Sequence, residues 1–537
     1  MKKYHTSLYP LVLVILFPVF FGCENSKDTN RDNLVFRYNE HSNISSLDPA
    51  FARNPANIWP TNQLFNGLLQ LDDSLNIQPD IAKTWKFNDT TQTYTFILRQ
   101  DVFYHKHALF GKDSTRRVIA QDFVFSLNRL KDPKIASPGG WVLQNVNNFY
   151  AVNDTIFEIQ LKQPFPAFLG LLAMRYCSVV PEEIVSHYGN AFRSNPIGTG
   201  PFKFKLWEEN IKLVLRKNEL YFETDSRGKQ LPYLEAVSIS FLPEKQSEFL
   251  QFAQGKLDFI SGLDASYKDE LLDSRGVLRE KYNDEVTMIK GPYLNTEYLA
   301  FFLGTEEDKV VSPLLRKAIN YGFDRKKMIT YLRNGIGIPA IHGFIPMGLP
   351  GFDFMEGYDY QPEKARQLID QYKRETGKTN IEISIGTDSN YQDMYEYIQR
   401  EMEKLGLRIR IDVMPASTLR QKRSSGAMDS FRASWIADYP DAENYLSLFY
   451  SKNFTPNGPN YTHFKNEQYD KWYEKSLSIS DVNERKALYQ QMDSLIISEA
   501  PIVPLYYDEA VRFTRKNVKN LGINPQNFLV LKHVTKE

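Results

Sequence analysis

I-E-I-S-I at residues 381–385 and R-I-R-I-D-V at residues 408–413 are the two strand patterns that decide the fold class of this 537-residue chain. Between them, apolar side chains recur every three or four residues, which predicts a helix that ends at Gly406. A strand, a helix and a strand in this order predict two parallel strands and a right-handed crossover. The chain is therefore expected to be α/β, and ligands of such sheets bind beyond the carboxyl ends of the strands.

The next strand pattern carries the candidate ligand residue. In R-A-S-W-I-A-D (432–438), apolar residues alternate until Asp438, which precedes the turn residues Tyr439, Pro440 and Asp441. A carboxylate between Trp435 and Tyr439 is partly desolvated, which is costly unless a cation pairs with it. One interpretation is that the ligand brings the cation to Asp438. The other is that Asp438, like Asp441, is an ordinary turn or N-cap residue.

Length and charge exclude several classes of protein. The chain is long enough for two or three domains. It carries 65 basic and 65 acidic residues, so nucleic acid is not an expected partner. Aromatic residues make up 14% of the chain, which suits a protein that also lines cavities with Tyr and Trp.

The N-terminus has the features of a targeting segment. Lys2 and Lys3 precede an apolar stretch at 11–21 that is too short to span a membrane, and the stretch ends in Phe21-Gly22-Cys23, similar to a bacterial lipobox. We predict a signal peptide at 1–22, lipidation of Cys23 and a polar tether at 23–32. An ordinary signal peptide with a coincidental cysteine is the alternative. Cys177, the other cysteine, is predicted to be a small buried apolar residue.

Motifs for catalysis, cofactors or metals do not assemble in this sequence. It has no H-E-x-x-H and no G-x-S-x-G, and Thr376-Gly377-Lys378-Thr379 lacks the earlier glycine of a phosphate-binding loop. His105 and His107 lie two residues apart, which suits either a metal on one strand face or, more simply, a polar loop. The chain is therefore not expected to be an enzyme or to hold a cofactor or metal.

Several segments together resemble bacterial extracellular solute-binding proteins of family 5, the oligopeptide, dipeptide and nickel receptors of ABC importers. They keep the order and spacing of that family from about residue 33 onward. The segments include S-L-D-P-A-F-A-R-N-P-A-N-I-W (46–59), L-F-N-G-L-L-Q-L-D (64–72), P-D-I-A-K-T-W (79–85), D-F-V-F-S-L-N-R-L-K-D-P (122–133), N-P-I-G-T-G-P-F-K-F (195–204), L-R-K-A-I-N-Y-G-F-D-R (315–325) and A-P-I-V-P-L-Y (500–506).

The resemblance implies a bilobal clamp of the periplasmic-binding-protein type (class II, cluster C) with an extra small domain. Lobe I is expected to combine 33–75, 195–295 and 504–537; the extra domain spans 76–194 and lobe II spans 296–503. Closure of the two lobes on a hinge would trap the ligand.

The resemblance also implies the ligand set. In oligopeptide receptors the R-A-x-W-x-A-D stretch supplies an aspartate that pairs with the α-ammonium of the peptide. Here Asp438 is the expected amine anchor, Trp435 a pocket wall and Arg432 a partner for the carboxylate of a short peptide; Tyr439 completes the predicted set. One departure lies after residue 99, where the H-D-G turn of the family is replaced by a charged insert through Arg117, so the rim of one lobe is expected to differ.

The predicted function is a lipid-anchored, monomeric peptide receptor in the cell envelope, facing the periplasm or the exterior, with an ABC permease as its partner. Alternatives within the family are a nickel chelate, haem or an oligosaccharide as the ligand. A peptide-sensing receptor without transport and a surface hydrolase are alternatives of other kinds.

Overall fold

The computed structural model describes residues 34–264, 266–304 and 308–537. The predicted signal peptide, Cys23 and the tether through residue 32 lie outside these residues. Within the described ranges, no helix has both the length and the apolar character needed to cross a membrane.

The strands form one large sheet, a four-stranded sheet and two short pairs. The large sheet runs in the order β15-β14-β16-β12-β17-β11-β1-β10-β9-β8, with β13 added on β17, and the four-stranded sheet runs β4-β5-β7-β6. The strands are β1 (Val35–Asn39), β2 (Leu69–Leu71), β3 (Ile77–Pro79), β4 (Ala82–Asn88), β5 (Thr93–Leu98), β6 (Val146–Asn153), β7 (Ile156–Leu161), β8 (Phe202–Glu208), β9 (Lys212–Lys217), β10 (Ala236–Ser240), β11 (Phe259–Ser261), β12 (Val286–Phe301), β13 (Ile338–Pro339), β14 (Glu382–Thr387), β15 (Arg408–Val413), β16 (Ser430–Ile436), β17 (Ile502–Arg515), β18 (Val518–Lys519) and β19 (Thr535–Lys536).

Helices connect these strands and cover the faces of the large sheet. They are α1 (Pro55–Leu64), α2 (Ala120–Lys131), α3 (Phe168–Leu172), α4 (Glu182–Tyr188), α5 (Lys245–Ala253), α6 (Lys268–Leu271), α7 (Asp308–Val311), α8 (Pro313–Tyr321), α9 (Arg325–Leu332), α10 (Pro362–Thr376), α11 (Gln392–Glu403), α12 (Ala416–Ser424), α13 (Glu443–Leu446), α14 (Glu467–Ser476) and α15 (Val482–Glu499).

The predicted strand–helix–strand unit is confirmed. β14 and β15 are parallel, with Ile383 opposite Ile409, and α11 connects them. β16 continues in the same direction, because Phe431 pairs with Gly386 of β14 in parallel. Asp438 therefore lies just beyond the carboxyl end of its strand, at the edge where ligands of parallel sheets bind.

Two long strands join the halves of the large sheet. β12 and β17 pair antiparallel, but the register shifts between Pro292 and Thr296. The Asn295 side chain donates to Asp508 across this interruption (3.1 Å). Below, the half that contains β1 and β8 to β11 is called the first lobe, and the half that contains β14 to β16 is called the second lobe. The shift divides the ladder where the two halves meet, and such a break is where a clamp can bend.

A small domain with its own core is built on the four-stranded sheet. Phe96, Phe123 and Phe157 are fully buried in it. A buried ion pair ties this domain to the chain preceding α1, since Arg129 of α2 donates to both oxygens of Asp48 (3.0 and 2.5 Å). Cys177 is a buried free thiol in this core, as the sequence predicts, and burial raises its pKa to about 12.

In the G-T-G stretch at residues 198–200, both glycines lie so close to the backbone of α1 that a side chain would not fit. A Cβ at Gly198 would lie 2.1 Å from the carbonyl oxygen of Leu64, and one at Gly200 would lie 2.4 Å from that of Gln63. His105 holds the same stretch, because the N–H of Gly198 donates to its Nδ1 (3.2 Å). Its Nε2 therefore carries the proton and donates to the carbonyl of Gly200 (3.1 Å).

A buried carboxyl group in the second lobe makes stability depend on pH. Asp493 of α15 accepts hydrogen bonds from the N–H groups of Phe344 (2.8 Å) and Ile345 (3.2 Å), yet burial dominates and raises its pKa to about 7. The folded state therefore holds a proton that the unfolded chain releases near pH 4. Stability from this group falls as pH rises through this window and is level above pH 7.

Between pH 5.5 and pH 7.5, we expect the free energy of unfolding of the wild type to fall by about 2 kcal/mol more than that of Asp493→Asn. Thermal unfolding midpoints at several pH values measure it, with the exposed Asp89→Asn as the control. Parallel profiles for the wild type and Asp493→Asn would show that this carboxyl group does not titrate in the folded protein.

Candidate ligand-binding site

A cavity of about 680 Å³ lies where the two lobes and the small domain meet. Its volume is in the range of small-molecule sites. Three charged side chains line it, Arg53, Arg175 and Asp438, together with aromatic side chains from each part of the protein. The lining residues include Ala52, Arg53, Ile58, Trp59, Trp141, Met174, Arg175, Tyr176, Tyr293, Ile436, Ala437, Asp438, Gln526 and Phe528.

Asp438 enters this cavity from the second lobe. It directly follows β16, where Ala437 still donates its N–H to the carbonyl of Leu294 on β12 (2.9 Å). Its side chain is exposed to solvent, and no ion pair involves it among the described residues. The surrounding cleft partly desolvates the carboxyl group, which raises its pKa; a hydrogen bond from Asn444 opposes the rise. Asp438 is thus a carboxylate without a cation, inside a cavity.

Asn444 of α13 holds this end of the strand in place, and sequence reasoning missed it. Its Oδ1 accepts from Trp435 Nε1 (2.8 Å) and from the backbone N–H of Asp438 (3.2 Å). Because Oδ1 is used twice, the amide nitrogen is the group left to face the carboxylate. Tyr445 adds to the support by donating to the carbonyl of Leu294 (2.8 Å). The only sequence signal was the position of both residues just after the D-Y-P-D turn.

Arg432 already has a protein partner. Its Nε and Nη2 donate to the two carboxylate oxygens of Glu297 (2.6 and 2.8 Å), and its guanidinium stacks on Tyr391 at 3.6 Å. Glu297 is fully buried. Burial alone lowers the pKa of Arg432, but the Glu297 carboxylate more than offsets this, and the net pKa is raised. The two-point contact matches an ionised pair whose charges satisfy each other.

Trp435 and Tyr439 border the site without lining the cavity. Trp435 is half-buried and directs its N–H to Asn444. Tyr439 is buried; its hydroxyl contacts Glu443 and its ring lies 6.3 Å from that of Trp141 in the small domain. Of the four predicted ligand residues, Asp438 is the one that the structure places on the cavity wall.

Three further expectations are resolved by the contacts. Asp441 caps the turn, since its Oδ1 accepts from the N–H of Glu443 (3.0 Å), as predicted for a turn or N-cap residue. His107 Nδ1 accepts from the N–H of Leu109 (3.2 Å) and His105 is held by backbone groups, which favours the loop interpretation of this pair. The insert at 104–117, expected to alter a rim, does not contribute to the described wall of this cavity.

Comparison with known proteins places these features in context. The family model for bacterial extracellular solute-binding proteins, family 5 Middle, matches residues 76–457. The glutathione-binding protein GsiB of Salmonella typhi is 24% identical over 492 residues, which cover 90% of this chain and 91% of GsiB. The probable deoxycholate-binding periplasmic protein YgiS of Escherichia coli K12 is 27% identical over 528 residues, 93% of each chain.

A solved structure has the same fold. The periplasmic binding protein DppA of Helicobacter pylori, in complex with the peptide STSA, superposes with a TM-score of 0.73. The match covers 94% of this chain and 98% of DppA at 24% identity. The α/β bilobal clamp with an extra domain is therefore confirmed at the level of the fold.

Proposed function

The chain belongs to family 5 of the bacterial extracellular solute-binding proteins, and from that premise we propose that it captures short peptides between its lobes and delivers them to an ABC permease. Proteins of this family are the substrate-binding components of ABC importers and are not enzymes. The observation that carries the choice of peptide is Asp438, an ion-unpaired carboxylate on a cavity wall. A peptide α-ammonium supplies the missing cation, and a charge-assisted hydrogen bond is strong where water is excluded.

The extended backbone beside Asp438 supports the same ligand. Ile436 is the last residue of β16, and residues 436–438 follow one another along the cavity wall. A peptide main chain can pair with such a segment as an added strand, which is indifferent to side-chain identity. The aromatic wall would leave the peptide side chains in roomy, partly hydrated pockets.

The cavity also couples binding to closure. Its wall includes Trp59 beside the first lobe, Trp141 of the small domain and Asp438 of the second lobe. A ligand that contacts all of them has more contacts in the closed state than in the open state, and it favours the closed state by that difference. The break between β12 and β17 is where we propose that the chain bends.

We further propose that the mature protein is a monomeric lipoprotein anchored through Cys23, in the cell envelope. The lipobox-like Phe21-Gly22-Cys23 and the polar stretch that follows support this. Metabolic labelling with a palmitate analogue should label the full chain but not Cys23→Ser. Equal labelling of both would contradict the anchor.

The alternatives remain distinct in their chemistry. A nickel chelate, haem, an oligosaccharide or a bile acid such as the one named for YgiS lacks an α-ammonium, and none of them would need Asp438. A peptide-sensing receptor would bind the same peptides without import, so peptide uptake in a deletion strain separates sensing from transport.

A thermal-shift screen of the chain lacking residues 1–23 tests the ligand class. The panel contains mixed di- to pentapeptides, their N-acetylated forms, glutathione, deoxycholate, nickel, haem and oligosaccharides. A ligand at ~100 times its dissociation constant should stabilise the protein by roughly 2.7 kcal/mol. We expect stabilisation by free peptides and not by N-acetylated ones, because acetylation removes the charge that Asp438 binds.

Two other results would redirect the proposal. Stabilisation by nickel, haem, sugar or deoxycholate alone would keep the clamp and overturn the peptide ligand. Equal stabilisation by free and acetylated peptides would keep the peptide and overturn Asp438 as its anchor.

A further inference from the structure

We propose that Arg53 and Tyr176 form an anion half-site that receives the carboxylate of the ligand, across the cavity from Asp438. This inference rests on the proposed peptide-binding function and narrows its ligand to short peptides with a free carboxylate. The juxtaposition that carries it is a cation from one side of the cleft facing an anion from the other, within one cavity of about 680 Å³.

Arg53 is a cation that the described chain leaves unpaired. It lies between the turn at Pro49–Phe51 and α1, is exposed and lines the cavity. Its backbone N–H donates to Phe51 (2.8 Å), but its guanidinium has no ion pair or hydrogen bond among the described residues. An arginine held at a cavity wall with all its donors free is suited to bind a carboxylate in a two-point contact.

Tyr176 supplies a hydroxyl beside it. The side chain is 6% exposed and lines the same cavity, and its hydroxyl has no hydrogen-bond partner among the described residues. A hydroxyl on a cavity wall that has no protein partner is free to donate a hydrogen bond to a ligand or to water. Burial raises the pKa of Tyr176 to about 12, and the opposing influences of Arg53 and Asp438 place its hydroxyl within the electrostatic reach of both charges.

Arg175, the third charge on the wall, is less suited to this role. Its Nη1 and Nη2 donate to the carbonyls of Phe65 (3.4 Å) and Ala173 (3.1 Å). Burial lowers the pKa of Arg175 and the carboxyl group of Asp80 opposes this; Asp80 lines a separate cavity of about 500 Å³, which Arg175 also lines. Nη1 and Nη2 thus hold the wall together, and the remaining donor, Nε, is buried without a hydrogen-bond partner among the described residues.

The charge arrangement also orients the ligand. Asp438 belongs to the second lobe, whereas Arg53 adjoins the first lobe and Tyr176 belongs to the small domain. A peptide with an ammonium at one end and a carboxylate at the other can contact both sides only when its length spans the gap. Peptides whose ammonium and carboxylate are both bound would therefore favour the closed state more strongly than peptides bound at one end only.

The test is isothermal titration with the tightest-binding peptide of the free-peptide pool and its C-terminal amide. Wild-type protein should bind the free acid at least about 10-fold more tightly than the amide, the range of a hydrogen bond to a charged group. Arg53→Gln should bind the free-acid peptide more weakly than wild type by a similar factor and should bind the amide with unchanged affinity. Tyr176→Phe should reduce the preference for the free acid over the amide. Arg227→Gln, at an exposed arginine that is not part of the cavity wall, is the matched control for lost charge.

The outcomes separate this inference from the function on which it rests. If wild type and Arg53→Gln both bind peptide and have the same ratio of affinities for the free acid and the amide, the anion half-site alone is overturned. Tighter binding by Arg53→Gln also overturns it, because it would mean that Arg53 pairs with Asp438 and competes with the ligand. Failure of wild-type protein to bind any peptide overturns the proposed function and the half-site with it.

Discussion

Asp438→Ala is expected to weaken the binding of unmodified peptides by about 30-fold or more, while the protein stays folded. The loss corresponds to at least about 2 kcal/mol, the cost of removing one partner from a desolvated charge pair. The fold should survive because Asp438 is exposed, has no ion pair among the described residues and follows its strand rather than sitting within it.

Titration of wild type and Asp438→Ala with a free peptide and its N-acetylated form measures this as a thermodynamic cycle. The variant should bind both forms as weakly as wild type binds the acetylated one, since either change removes the same interaction. Asp438→Asn separates charge from shape, and the exposed Asp284→Ala is the control. Unchanged affinity of Asp438→Ala for free peptides would rule out the amine anchor.

Arg432→Met is expected to destabilise the second lobe by about 3–5 kcal/mol, because it leaves the fully buried Glu297 without its cation. The sequence resemblance assigns Arg432 to the ligand, whereas in the structure its Nε and Nη2 donate to Glu297 and its Nη1 lies 3.9 Å from Asp388 Oδ2. A residue that only contacted the ligand would leave the unfolding midpoint of the empty protein unchanged.

A double-mutant cycle with Glu297→Gln isolates the pair. The double variant should recover much of the lost stability, since Glu297→Gln removes the fully buried carboxylate that Arg432 neutralises; the second carboxylate near Arg432, Asp388 at 3.9 Å, is the same in every variant of the cycle. Arg408→Met is the matched control: its side chain is 64% exposed and reaches Glu382 at 3.8 Å, and such surface pairs contribute ~1 kcal/mol or less. An equal loss in both single arginine variants would contradict a special role for the Arg432–Glu297 pair.

Local sequence patterns do not predict the two long strands, β12 and β17, over their full length. The sequence pattern that starts at Pro501 predicts a strand only as far as Tyr507, but β17 continues to Arg515. Residues 265–290 have no clear periodicity, although β12 begins at Val286. Each strand crosses between environments, so neither keeps one alternation of apolar and polar residues throughout. Their pairing, with its register shift, comes from contacts more than 200 residues apart in the chain.

The sequence by itself determined the α/β class, the strand–helix–strand unit around residues 382–413 and the place of Asp438 at the end of a strand. These follow from periodicity and from turn residues, which act over a few neighbours. Only the tertiary structure decided which charged side chains have an ionic partner within the described protein. Arg432 and Glu297 pair across 135 residues, whereas Arg53 and Asp438 face a shared cavity. A charged residue looks the same in a sequence in both cases, because its partner is set by three-dimensional proximity.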